Sequence, residues 1–305
     1  MTPNRYTGKA RGAALIIAML LTALGAAVAA QLIQPLAGWL KREYTARDVQ
    51  AAYTLADAAT GWSLTVLAGD ARTSSIDHYG ELWATKLPAT QIEGGMVDGQ
   101  LNDLQSRFNL NSVAPRGVRN VANIALAARL FASVNVPENL AEVLADAVDR
   151  DDVVADQTQR EATQYGRLLR NRPIDALTDL LEMPGFTQSH VEALATLVEV
   201  LPEATPINAN TADLNLLRVA LPQASAEGFA KMSAQRAQRP FNSVAEFSTA
   251  LGVAAPEGMF SVSSSYFSMT AQVRFEHAAH RLQLRISRIA GAAPKVISRR
   301  ITNAT

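Results

Sequence analysis

The chain has 305 residues, with 28 basic and 28 acidic side chains and a formal net charge of zero. That balance gives no global attraction to nucleic acid or to an anionic membrane surface. It has no cysteine, which excludes disulfides, thiolate metal sites, a cysteine nucleophile and a lipoprotein anchor, and its four histidines (His78, His190, His277 and His280) are too scattered to suggest a metal cluster.

A polar opening with Arg5, Lys9 and Arg11 precedes an uncharged run from Ala13 to Ala30, which trails on through Leu32, Ile33 and Leu36 to Trp39. A helix needs roughly 20 apolar residues to cross a bilayer. Basic residues ahead of the run predict a cytoplasmic N-terminus, a bias that Lys41 and Arg42 weaken from the far side. Three readings compete. One is a secretory signal cut after Ala27-Val28-Ala29, one an uncleaved anchor, and one a prepilin-type leader that ends at Arg11-Gly12 and is cut before Ala13. The next stretch of chain decides among them. From Glu43 to Leu67 there is no proline and no glycine before Gly61, and Val49, Tyr53, Ala56, Ala59, Trp62 and Val66 make one apolar stripe. A membrane helix that runs on into an amphipathic one is the architecture of a pilin. Pro35 and Gly38 predict a loosened helix at the junction.

Asp70 to Thr90 reads as loop and turn, and Gly95 to Leu104 as a strand. From about Pro115 to Gly252 the period is helical. One face carries Leu140, Val143, Leu144, Ala147 and Val148; a second carries Val191, Leu194, Ala195, Val198 and Leu201; a third carries Ile174, Leu177 and Leu181. Asn210 or Thr211 is the predicted cap of a helix with Asp213 in its first turn. After Pro256 the period shortens to strands at Tyr266–Phe275, Leu282–Ile289 and Val296–Ile301. Strands on both sides of a helical block predict an α+β fold. It has a long N-terminal pilin-like helix and a small antiparallel sheet body, with a large all-α insertion of SAM-like or helix-hairpin-helix-like type.

Several stretches resemble one known family, general secretion pathway protein K, the largest minor pseudopilin. Lys9-Ala10-Arg11-Gly12 before Ala13-Ala14-Leu15-Ile16-Ile17 is similar to its processing site. Asp103-Leu104-Gln105-Ser106-Arg107-Phe108-Asn109-Leu110-Asn111 resembles its "DLQGRFNLN" signature with Ser106 in place of Gly, and Ile207-Asn208-Ala209-Asn210-Thr211-Ala212 resembles "INVNTA". Most pilins carry Glu at the fifth mature position; here that position is Ile17, and the family is similar in lacking the acid. The resemblance implies a leader over 1–12, cleavage by a prepilin peptidase between Gly12 and Ala13, and N-methylation of Ala13. It also implies a membrane helix over 13–40, an amphipathic continuation over 41–68, a pilin-like body over 69–114 and 256–305, and the insertion over 115–255. The expected location is the inner membrane, single-pass, with the C-terminal domain in the periplasm. A buried carboxylate is costly in hydrocarbon unless it is paired. A subunit with Ile17 offers none, and the resemblance implies a place at the tip of the pseudopilus beside two other minor pseudopilins, with secreted proteins and the outer-membrane secretin as further partners.

Glu138 to Glu161 holds eight acidic residues against Arg150 and Arg160. A solvated face is the ordinary reading; the functional one is calcium, which takes several hard oxygen ligands. Asp149, Asp152, Glu161 and Tyr165 match the family's pattern "DWIDxD…GAEDxxY", so Asp149, Asp152 and Glu161 are the candidate ligands. Ile207 to Phe247 also looks like a helix-hairpin-helix module of a membrane-anchored DNA-uptake protein, the rival reading. It lacks a Gly-rich hairpin, and Lys231, Arg236 and Arg239 make a sparse basic patch, so no nucleic-acid partner is expected. Arg274 to Arg300 carries seven basic residues against Glu276, read as solvent-facing strand positions. No nucleophile elbow, zinc-protease motif, Walker loop or dinucleotide fingerprint is present, and the expectation is a protein that is not an enzyme.

Overall fold

The computed structural model of the protein describes residues 9–92, 95–151, 153–154, 160–166, 169–275 and 278–303. Helix α1 (Lys9–Thr73) runs past positions 35 and 38 and beyond Leu67. The loosening expected at the junction is not seen, because a run rich in Ala and Leu favours helix on both sides. Its apolar N-terminal stretch is long enough to cross a membrane, and none of that stretch is buried. Further along, α1 lies on the sheet through Ala52, Ala56, Ser63 and Leu67. This seam is rotated from the expected stripe, and Tyr53 is 44% exposed. Small residues occupy the line of closest approach, so the larger Trp62 and Val66 flank the contact, half-buried.

The sheet is five-stranded in the order β1-β2-β7-β8-β9, with β1 (Leu87–Ile92), β2 (Gly95–Asp103), β7 (Tyr266–Phe275), β8 (Ala279–Ser287) and β9 (Lys295–Asn303) all antiparallel. Leu101, Phe267, Met269, Ala271, Leu282, Leu284 and Ile286 point toward α1, with the fully buried Trp83 among them. Alternate residues face outward, as expected of a sheet solvated on one side. Strand β1 was expected as loop: Pro88 and a mostly exposed pattern hide it, since an edge strand has little to bury.

Strands β2 and β7 are neighbours, with Leu101 opposite Met269, although the whole helical domain lies between them in sequence. Two short parallel pairs join that domain to the chain entering and leaving it: β3 (Phe108–Asn109) with β4 (Val198–Glu199), and β5 (Ile207–Asn208) with β6 (Phe260–Ser261). Its helices are α2 (Val121–Ser133), α3 (Leu140–Val148), α4 (Glu161–Tyr165), α5 (Gln188–Leu194), α6 (Leu214–Ala220), α7 (Ala226–Gln238) and α8 (Val244–Leu251). Asn120, Thr187, Asp213, Ser225 and Ser243 cap α2, α5, α6, α7 and α8 by accepting from a backbone N–H, each such cap being worth about 1 kcal/mol. The cap of α6 is therefore Asp213, not Asn210 or Thr211. At Gly228 a Cβ would stand 2.1 Å from the Leu251 carbonyl oxygen, so glycine there lets α7 meet the end of α8.

Two helical faces also differ from expectation. Val198 belongs to β4. Leu177–Glu182 is a 3₁₀ turn, whose period of about three residues buries Leu180 and leaves Leu181 40% exposed.

Candidate functional site

Among the described residues, two polar clusters are buried. The first sits where α1, the sheet and the helical domain meet, and it is built from the two sequence signatures. Asp103, at the end of β2, is 3% exposed. Its Oδ2 accepts from Asn208 Nδ2 at 3.0 Å, Thr211 Oγ1 at 2.6 Å and Ser264 Oγ at 2.7 Å, and its Oδ1 from the Gln105 N–H at 2.8 Å. Gln105 joins the Pro206 carbonyl to the Ser265 N–H. Asn111 joins Ile174 to Leu201, and Asn210 holds both backbone groups of Phe241. These amides do for irregular backbone what ladder bonds do in a sheet. Arg288 closes the network by donating to Asp70 and Asp77, with its guanidinium carbon 4.5 Å from the centre of the Phe267 ring. Arg288 is 9% exposed, which corrects its reading as a solvent-facing strand residue. Burial pushes Asp70 and Asp103 up to about 6.

The second cluster contains the candidate metal ligands. Asp149 caps the C-terminal end of α3, Asp146 lies one turn earlier, and the bridge between Val153 and Arg160 returns the chain so that Glu161 opens α4 beside them. Ligand oxygens of Asp146, Asp149 and Glu161 lie within 4.8 Å of one another, and all three residues are buried. Asp152 lies outside the described residues. Asp146 was missed in the sequence; its three-residue spacing to Asp149 was the signal, since that spacing puts both on one side of a helix.

The bonding is uneven. Asp146 accepts from Arg119 on Oδ1 and from Tyr165 Oη on Oδ2 at 2.5 Å. Both oxygens of Asp149 and Oε1 of Glu161 have no hydrogen-bond partner among the described residues, although Arg119 Nη1 stands 3.5 Å from Asp149 Oδ2. Burial, then neighbouring carboxylates, push Asp149 and Glu161 up to about 7. Asn171 Oδ1 is another buried oxygen without a partner among the described residues, on a residue whose Nδ2 donates to the Asp151 carbonyl. A buried group left this way costs about 1–3 kcal/mol, more when charged.

Gly12, Ala13 and Ile17 lie on the exposed surface of α1, with Ile17 59% exposed. The basic residues considered for DNA are engaged elsewhere: Arg236 donates to the Ala209 and Ala212 carbonyls, Lys231 pairs with Glu227, and Arg239 with Glu246.

Models of the family described as type II secretion system (T2SS), protein K, match residues 106–203 and 207–269, together more than half of the chain. Type II secretion system protein K of Pseudomonas aeruginosa is 26% identical over 220 residues, covering 67% of this chain and 65% of that relative. The match thus spans just under two thirds of the relative's own length. Among solved structures, a chain of the GspK-GspI-GspJ complex from the enterotoxigenic Escherichia coli type 2 secretion system matches with a TM-score of 0.70 at 21% identity, over 86% of this chain and 100% of that one. At that identity the likeness is one of fold.

Proposed function

This chain belongs to the family of type II secretion system protein K, and from that premise we propose that it is a minor pseudopilin at the tip of a pseudopilus, serving protein export across the outer membrane. The observation that carries the reading is α1: an apolar stretch with nothing packed on it runs straight into a helix seated on an antiparallel sheet. In this reading the apolar stretch anchors the chain in the inner membrane with the globular part in the periplasm. A prepilin peptidase cuts between Gly12 and Ala13, and Ala13 is N-methylated. N-terminal sequencing of the mature protein tests this. A start at Ala13 is expected; a start at Ala30 or Gln31 marks a secretory signal and ends the pseudopilin reading.

The relative in the solved complex stands with two other proteins. For this chain the corresponding partners are two other minor pseudopilins, with the secretin and secreted proteins beyond them. Ile17 supports the tip position, because a carboxylate there would be needed to meet the N-terminal ammonium of a subunit ahead, and either charge alone in hydrocarbon is expensive. Imaging of tagged protein checks it: wild type along the whole shaft contradicts the cap, and Ile17→Glu still confined to the tip moves the cause to the bulky helical domain.

The second cluster fits calcium. Three carboxylates close enough to share an ion, with unbonded buried oxygens on Asp149 and Glu161, are the donor set of a hard dication. Asp146, Asp149 and Glu161 would hold it. Its effect would be to tie α3 to α4, a structural role.

A further inference from the structure

The acidic cluster carries its own cation. Arg119 Nη1 donates to Asp146 and stands 3.5 Å from Asp149 Oδ2, while Nη2 donates to Glu142 at the rim. The backbone that delivers Arg119 is fixed. Gly117 has φ +76, and a Cβ there would lie 2.1 Å from Arg150 Cγ. The Arg150 N–H donates to the Gly117 carbonyl at 3.2 Å, and the Asn120 N–H to that of Val113 at 2.8 Å. The side chain is less confined: it is 20% exposed, and its outer partner Glu142 is 51% exposed.

We infer that Arg119 is an internal counter-ion that competes with a divalent, oxygen-seeking cation for the carboxylates of Asp146 and Asp149, so that metal binding requires the guanidinium to swing outward onto Glu142. The inference rests on the calcium reading. One guanidinium cannot satisfy the cluster: it bonds Asp146, misses good hydrogen-bond geometry with Asp149 and leaves Glu161 Oε1 unbonded. A dication placed among these oxygens would offset two of their three charges, and it would need the same lone pairs on Asp146 Oδ1 and Asp149 Oδ2 that face Arg119 Nη1. The two cations therefore compete for the same oxygens. Glu142 already holds one nitrogen of Arg119 and lies toward solvent, so it is the natural resting place once the metal enters. Tyr165 keeps its hold on Asp146 Oδ2 in both states, leaving Oδ1 as the oxygen exchanged between guanidinium and metal.

The test is calorimetric titration of the full chain in detergent with calcium chloride, after stripping with chelator, together with thermal unfolding in chelator and in calcium. Arg119→Met should bind calcium at least tenfold more tightly than wild type, and should unfold at a lower temperature than wild type in chelator but not in calcium. Arg119→Lys keeps the charge without the planar fork and should fall between; it also serves if Arg119→Met does not fold without metal. Glu142→Gln removes the outer partner and should weaken calcium binding several-fold. Equal calcium affinity in wild type and the Arg119 variants overturns the competition and leaves the calcium site standing. No calcium-dependent change in wild type or any variant overturns both.

Discussion

The two buried clusters contain similar residues and are finished in opposite ways. Around Asp103 both oxygens are met by donors from Gln105, Asn208, Thr211 and Ser264. Around Asp149 neither oxygen is. A satisfied network fixes one packing and rigidifies it; an unsatisfied one costs stability until something fills it. The first is the seam that holds the helical domain on the sheet, and the sequence signatures are its hydrogen-bonding residues. The second leaves carboxylate oxygens open, and it is where we propose an ion. A signature that identifies a family can thus mark the joints of its fold.

Substitution of the central carboxylates breaks the comparison most directly. Asp103→Ala strips the common acceptor from four donors at once and should cost about 3–5 kcal/mol, a large share of an ordinary domain's stability. Denaturant unfolding monitored by tryptophan fluorescence should show this equally with calcium and with chelator. A cost that depends on calcium would mean that the two clusters are coupled.

Asp149→Asn should carry the opposite sign without metal. It removes a buried charge that lacks a hydrogen bond, so in chelator the variant should be as stable as wild type or more so. In calcium it should lose the metal's contribution, about 2.7 kcal/mol when calcium is a hundredfold above its dissociation constant. Thermal unfolding in the two conditions reads both signs. A variant that is destabilised in chelator would show Asp149 to be structural, like Asp103.

The sequence made the large elements legible: the long helix through its uncharged apolar run and the proline-free stretch after it, and the strands after Pro256 and the principal helices through their hydrophobic spacing. It was less informative wherever tertiary contact overrides local pattern. The seam of α1 follows small residues, and a stripe drawn through large ones misses it by a rotation. Strand β1 buries too little to show a period. Arg288 looks like one more outward basic residue until Asp70 and Asp77, remote in sequence, are brought to it. Of the acidic cluster, Asp149 and Glu161 were visible through family likeness, whereas Asp146 reads as an ordinary helix position until the bridge at Val153 and Arg160 brings α4 back.

The smallest expected effect sharpens what "satisfied" means at the seam. Its hydrogen bonds are complete, yet Arg288 faces two carboxylates directly, Asp70 and Asp77, with Asp103 close behind. Negative charge therefore remains in excess. Asp70 titrates at about 6 in the folded protein against 3.8 as its ordinary value, chiefly through burial and then the charge of Glu81, with Arg288 pulling the other way. Between pH 4 and 6 the folded chain thus holds more protons at this site than the unfolded chain. Stability at the seam should rise as pH falls through that window and decline as pH climbs to about 6, above which the penalty is constant. For Asp70 the gain between pH 7 and pH 5 is about 1 kcal/mol. Asp70→Asn cannot titrate, so the variant should lack that increment, and the difference between the two unfolding free energies across these pH values reads it together with the change it makes in its coupled neighbours Asp77 and Glu81. A wild type that gains nothing over the variant, or that loses stability on acidification relative to it, would mean that the Arg288 ion pair outweighs burial at this position. The seam would then be held by charge as well as by hydrogen bonds.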